Sequence, residues 1–159
     1  MRLAVTDDRE AINRVYRACG EKLAHDDWTP GYVPDTAYIG VVDADGMLHG
    51  FFHAVGRGPR DVELHVCLLP TARGSMHDLG DEALALIFER TPCARITAPF
   101  LADIVSAQNY ARKHGFVLEG VSRDACMRNG SPVDVVQYGL TRRDWENRVC
   151  RLSETLSAT

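Results

Sequence analysis

The stretch Val62–Arg90, VELHVCLLPTARGSMHDLGDEALALIFER, changes its apolar period partway along. Val62, Leu64, Val66 and Leu68 alternate with Glu63, His65, Cys67 and Leu69, which is the two-residue period of a β-strand. Pro70 has no N–H to give to a ladder, so the strand ends there. Arg73-Gly74 opens a loop, and from Leu79 the apolar residues Leu79, Ala83, Leu86 and Ile87 fall at helical spacing. The stretch therefore predicts strand, loop and helix, with residues 81–90 helical. A loop that feeds a helix N-terminus presents backbone N–H groups to an anion. The alternation of strand and helix periods along the chain predicts a single α/β domain.

The flanking segments extend this pattern. Arg2–Val5 reads as a short strand. Thr6 or Asp7 offers an N-cap to a helix over Glu10–Cys19, carrying Ala11, Ile12, Val15, Ala18 and Cys19, with Gly20 as its end or kink. Residues 25–32, HDDWTPGY, read as a polar and aromatic loop. Its Asp26-Asp27 pair beside Trp28 and Tyr32 is either a cation site or a solvated pair over a packed Trp. Ala37–Asp43 and Met47–Val55 are strands joined at Asp45-Gly46, and GRGPRD over 56–61 turns the chain into the central strand. After the helix come a strand at Arg95–Ala98 and a helix from an Asp103 cap to His114, with Gly115 at C′. Strands Phe116–Ser122 and Val133–Leu140 flank Asn129-Gly130. Thr141 and Asp144 resemble a capping box for a last helix, striped by Trp145, Val149, Leu152 and Leu156, with Ser157-Ala158-Thr159 frayed. The expected core includes Val66, Leu68, Leu84, Ile87, Phe88, Ile96 and Phe116.

Charge and cysteine content narrow the function. The 159 residues carry a formal net charge of −4 without a Lys/Arg block, which argues against nucleic acid as the main partner. No apolar run approaches the roughly 18 residues a membrane span needs. MRLAVTDDRE turns acidic too early for a signal peptide. The five cysteines Cys19, Cys67, Cys93, Cys126 and Cys150 make no CxxC pair. They read as free thiols of a reducing, cytoplasmic compartment. Cys67, on the central strand, is the one that bears watching.

Three segments together resemble the GCN5-related N-acetyltransferase (GNAT) superfamily: HVCLLPTARG (65–74), LGDEALALIF (79–88) and ARKHGFVLEGVSR (111–123). YGLTRRDW (138–145) fits as well. Within the superfamily the chain looks most like the branch that acetylates ribosomal-protein N-termini and small amines. The resemblance covers residues 1–145, read as an acetyltransferase-like domain, with 146–159 as a C-terminal helical extension. It implies a mixed, mostly antiparallel twisted sheet flanked by helices. It further implies acetyl-CoA bound where the fourth and fifth strands part, with its pantetheine arm on the amides around Leu68 and Leu69. Arg73, Gly74, Ser75 and Gly80 would line the pyrophosphate. Glu63 matches the general base, with His65 on the same face as helper or substitute.

Three departures from the family pattern fall in this sequence. Ser75-Met76-His77-Asp78 lengthens the pyrophosphate loop and displaces its middle glycine. Asp78, Asp81 and Glu82 put negative charge beside the anion site, and Asp78 is placed to cap the helix itself. Ile104 and Ala111 stand where the family carries a cofactor-touching Asn and an acid Tyr, with Asn109 and Tyr110 on other faces. Two functions follow. One is an N-acetyltransferase acting on an amine of a small molecule or a protein N-terminus. The other is a non-catalytic protein of the same fold used in assembly, as in a phage head or virion, with a partner or second copy on the C-terminal helix. The charges at the loop predict an acetyl-CoA affinity no better than about 100 µM.

Overall fold

The order of elements follows the periodicities. The computed structural model describes residues 1–157, without the side chains at 21, 22 and 155–157. The chain runs β1 (Arg2–Thr6), α1 (Arg9–Leu23), β2 (Ala37–Val42), β3 (Leu48–Gly56), β4 (Asp61–Leu68) and a 3-10 helix (Pro70–Ser75). It continues α2 (Met76–Arg90), β5 (Arg95–Leu101), α3 (Val105–Lys113), β6 (Val117–Arg128), β7 (Ser131–Thr141) and α4 (Arg142–Ser157). The strands form one sheet in the order β1-β2-β3-β4-β5-β7-β6. Every neighbouring pair is antiparallel except β4 and β5, which run parallel.

That parallel pairing is short. It covers Asp61↔Arg95, Val62↔Ile96 and Glu63↔Thr97. Past Glu63, β4 stays in register with β3 as far as Gly50↔Leu68, while β5 follows β7 to Leu101↔Val135. The sheet is therefore split by a wedge that opens beyond Glu63. Parallel strands need a long crossover, and α2 supplies it.

Each face of the sheet has its own apolar layer. On one, α1 packs Ala11, Ile12, Val15 and Tyr16 on Tyr38, Phe51 and Cys67. On the other, α2 and α3 pack Leu84, Ile87, Phe88 and Ala111 on Phe52, Leu64, Ile96 and Tyr138. Five of the seven expected core residues are buried. Val66 and Leu68 are half-buried against that core, because they lie beyond the point where β5 leaves.

Several local expectations are corrected. α1 is capped by Asp8, whose carboxylate accepts from the Ala11 N–H, and the helix continues through Gly20 to Leu23. α2 starts at Met76 behind the 3-10 helix, with Ser75 at the N-cap position. Asp78 thus stands inside the first turn and, among the described residues, no side chain caps α2. α3 starts at Val105 behind Ile104, and Asp103 instead accepts from Arg128. The Asp45-Gly46 turn is organised by Asp43, whose carboxylate accepts from the Asp45 and Met47 N–H groups. Asn129 and Gly130 both have positive φ, 52° and 72°, the signature of a tight hairpin turn. β6 and β7 are longer than predicted and meet at this turn.

The domain core extends into α4. Trp145 of α4 stacks on Phe88 with ring centroids 5.1 Å apart and belongs to the core of this chain. Thr141 Oγ1 accepts from the Asp144 N–H, as the capping box requires. Val149 and Leu152 of the same stripe face outward, 43% and 47% exposed. The Leu156 side chain, Ala158 and Thr159 lie outside the described residues. α4 itself runs unbroken across residue 145.

Candidate active site

The wedge between β4 and β5 has one edge made of backbone. The odd-numbered residues of β4 turn their peptide groups toward β3: the Leu69 N–H donates to the His49 carbonyl at 2.9 Å, and the Arg57 N–H to the Asp61 carbonyl at 2.9 Å. Alternation then turns the N–H and C=O groups of Val66 and Leu68, beyond the last β5 pair, toward the wedge. The structure thus separates the two residues expected for a pantetheine arm: Leu68 faces the wedge and Leu69 is held by β3. Val66 joins Leu68 on that edge. Sequence reasoning missed it, although strand parity was signal enough.

The side chains of β4 on the α1 face form a polar row. His65 Nε2 and Glu63 Oε1 are 2.8 Å apart, and Arg57 Nη1 lies 3.5 Å from the other carboxylate oxygen. The His65 hydrogen bond, outweighing burial, and then Arg57 hold the Glu63 carboxyl below its usual range. Glu63 is the more enclosed of the pair, with its side chain 25% exposed against 42% for His65. With Nε2–H donating to the carboxylate, the lone pair of a neutral His65 ring sits at Nδ1. Below them, Asp61 accepts from Thr97, while Arg95 bridges Asp61 and Glu119. These contacts tie β4, β5 and β6 together just where the wedge closes.

Opposite His65 in the β3–β4 register stands His53, with ring centroids 5.8 Å apart. His53 Nδ1 meets the Tyr16 hydroxyl at 3.1 Å, Nε2 meets Thr36 Oγ1 at 2.8 Å, and its ring stacks on Tyr38 at 4.2 Å. Burial, and then the neighbouring His65, push its pKa down to about 4. His53 is therefore a neutral, fixed wall of the site. It was not singled out from the sequence, though the hairpin register set by 56–61 places it.

At the wide end of the wedge lies the expected anion loop. Arg73 and Gly74 are exposed and Ser75 half-buried. A methyl group on Gly74 would meet nothing within 4 Å, so space is open above it. The loop is wound into the 3-10 helix, which turns part of its N–H groups onto its own carbonyls. Gly80 lies elsewhere, buried in the second turn of α2. A Cβ there would fall 2.3 Å from the Tyr110 hydroxyl and 2.6 Å from the His114 ring, so the glycine lets α3 approach α2.

The acidic residues behind the loop are dispersed. Asp81 turns toward α3 and α4. Arg148 donates to it through Nη1 at 2.8 Å and Nη2 at 3.3 Å, and His114 Nδ1 lies 2.8 Å away. Burial raises the Asp81 pKa, but the Arg148 and His114 hydrogen bonds overcome it and hold the carboxyl below its usual range. His77, Asp81 and His114 could together offer three ligand atoms to a metal, but Arg148 already occupies the carboxylate. Asp78 stays exposed. In the 25–32 loop, Asp26 accepts from the Asn129 and Gly130 N–H groups at 2.9 and 2.8 Å and so clamps the β6–β7 turn. Trp28 is 45% exposed and stacks on His25.

A seven-stranded, mostly antiparallel sheet, split between β4 and β5 and covered by four helices, is the fold of the GCN5-related N-acetyltransferases. Among solved structures the chain is similar to an engineered variant of the spermidine N-acetyltransferase SpeG of Vibrio cholerae. That match has a TM-score of 0.78 and 17% identity over 94% of this chain and 99% of that one. The same Vibrio cholerae enzyme in complex with CoA and spermine matches at a TM-score of 0.75 and 16% identity, covering 90% and 97%. An Acinetobacter baylyi protein classed provisionally as an acetyltransferase matches at 0.71 and 19%, covering 88% and 92%. No protein-family model matches the sequence, and no curated protein matches it. At these identities the likeness establishes the fold.

Proposed function

We propose that the protein is an acetyl-CoA-dependent N-acetyltransferase that transfers the acetyl group directly to an amine of a small molecule or a protein N-terminus. The observation that carries this reading is the Glu63–His65 pair, standing on β4 where β5 departs. Direct transfer needs an amine with a free lone pair, hence a base beside the thioester. His65 accepts the amine proton at Nδ1. Glu63 holds the Nε2 proton, orients the ring and stabilises the imidazolium, with Arg57 steadying its other oxygen. This exchanges the roles first expected of the two residues. The Val66 and Leu68 N–H groups are the donors that face the wedge.

Acetyl-CoA supplies an activated thioester and brings about two negative charges on its pyrophosphate. The residues present fit it in part. The open edge of β4 suits the pantetheine amides, and Arg73, Gly74 and Ser75 suit the pyrophosphate, where Arg73 can fork onto phosphate oxygens. Gly80 supports the site only through helix packing. With Asp81 paired to Arg148, the exposed Asp78 and Glu82 are left to oppose the anion. The likeness to an enzyme seen with CoA and spermine supports an amine acceptor. The enzyme would act in the cytoplasm, in keeping with five cysteines that form no disulfide among the described residues.

Titration calorimetry with acetyl-CoA tests the proposal. The wild type should bind at about 100 µM or somewhat tighter, and Asp78→Asn should bind a few-fold tighter, as removing one like charge predicts. Absence of binding by both proteins would leave the fold as a scaffold and favour the assembly role.

A further inference from the structure

The five thiols differ in their surroundings. Cys93 donates to the Arg95 carbonyl, Cys126 to the Val133 carbonyl and Cys150 to Glu154. Cys67 is 4% exposed on β4, beneath α1, and its Sγ donates to the Val15 carbonyl at 3.9 Å. Val15 is one helical turn before Cys19, so this carbonyl stands beside the Cys19 amide in the α1 ladder. Cys19 lies close enough to Cys67 to push that thiol's pKa up, with burial adding to the effect. Cys19, half-buried, packs on the same apolar cluster.

We propose that Cys19 and Cys67 form a redox modification site, closing to an intramolecular disulfide on exposure to a small disulfide oxidant such as oxidised glutathione. Cys19, the more accessible thiol, gives up its proton and attacks one sulfur of the oxidant. That breaks the oxidant's S–S bond, releases one glutathione thiol and leaves Cys19 in a mixed disulfide. The Cys67 sulfur then attacks the Cys19 sulfur and expels the second glutathione. The two protein protons end on the two released thiols, the protein loses two electrons, and the oxidant gains them. Cys67 suits the second role. The nearby Cys19 and its burial both push its pKa up, which makes it a poor first nucleophile toward a soluble oxidant, yet it is already beside its target.

The bond would tie α1 to β4 across a long stretch of chain. Its β4 end is two residues from His65, and its α1 end is one turn from Tyr16, which holds His53. Oxidation would therefore fix α1 over the polar face of β4.

The test treats the full chain with oxidised glutathione and maps its peptides without reduction. The expected product is a peptide linked through Cys19 and Cys67. A rise in melting temperature of about 5–10 °C should accompany it, from the loop closed in the unfolded chain, and dithiothreitol should reverse it. Cys19→Ser, at a half-buried position, should give neither the linked peptide nor the rise. Oxidised protein that carries only glutathione adducts, with Cys67 still a free thiol, would overturn the proposal. So would a melting-temperature rise of equal size in Cys19→Ser.

Discussion

At the scale of single residues, His53 and the pair beside it make opposite uses of the same chemistry. His53 has both ring nitrogens engaged by hydroxyls and a stacked tyrosine over its face, so protonation would place a charge in a buried site. Its folded pKa of about 4 lies below the ordinary 6.5. Between those values the unfolded chain keeps a proton that the folded chain has shed, so stability falls as pH falls through this window. The interval corresponds to about 3 kcal/mol lost between pH 7 and pH 4. Urea titrations at pH 7 and 4.5 should show that loss in the wild type and a smaller one in His53→Gln; an equal pH dependence would clear His53. Among the described residues His65 Nδ1 has no hydrogen-bond partner, and the partner at Nε2 is a carboxylate. Glu63→Gln should lower kcat/KM for acetyl transfer by about 100-fold, and His65→Ala by at least as much, since one positioned base contributes 10²–10⁴-fold. Retained activity in His65→Ala with loss in Glu63→Gln would return the base to Glu63.

At the scale of elements, β4 decides what the site is. It shares three residue pairs with β5 and then keeps only β3, so one strand is half sheet interior and half open edge. Hydrogen exchange should read this directly. Saturating acetyl-CoA should slow exchange at the Val66 and Leu68 amides by at least tenfold and leave Leu69, bonded to His49, unchanged. Equal protection at all three would mean that the ligand acts through general stabilisation rather than along the edge. The alternation of Val62–Leu68 made the strand legible in the sequence, and the same parity marks which peptide groups face which way. What the sequence did not reveal is where β5 leaves, because that depends on β7 capturing Arg95–Leu101 across seven antiparallel pairs. The start of α2 was misread for a related reason. Pro70 favours a helical first turn as readily as a loop, and the 3-10 helix passes without a break into Met76.

At the scale of the molecule, α4 closes the domain. Trp145 stacks on Phe88, Arg142 donates to the Thr91 and Cys93 carbonyls, and Arg148 reaches Asp81 and the Lys113 carbonyl. Losing a buried tryptophan costs about 3 kcal/mol or more. A chain ended after Thr141 should therefore melt at least about 10 °C lower than the whole chain, as should Trp145→Ala, measured by thermal unfolding. A truncated chain with unchanged melting temperature would show that α4 is an appendage whose stripe serves a partner.

The order of strands and helices and five of the seven expected core residues were legible in the sequence alone, where Glu63 and His65 also stood out as candidates, because period, proline and glycine act over a few neighbouring residues. The splay of β4 from β5, the pairing of Asp81 with Arg148 across 67 residues, the burial of Gly80 beneath α3 and the meeting of Cys19 with Cys67 were decided only by the tertiary structure. Each depends on which distant segments win a place on the sheet. Sequence spacing carries no record of that competition, since contacts between remote residues are selected by packing after the local elements exist.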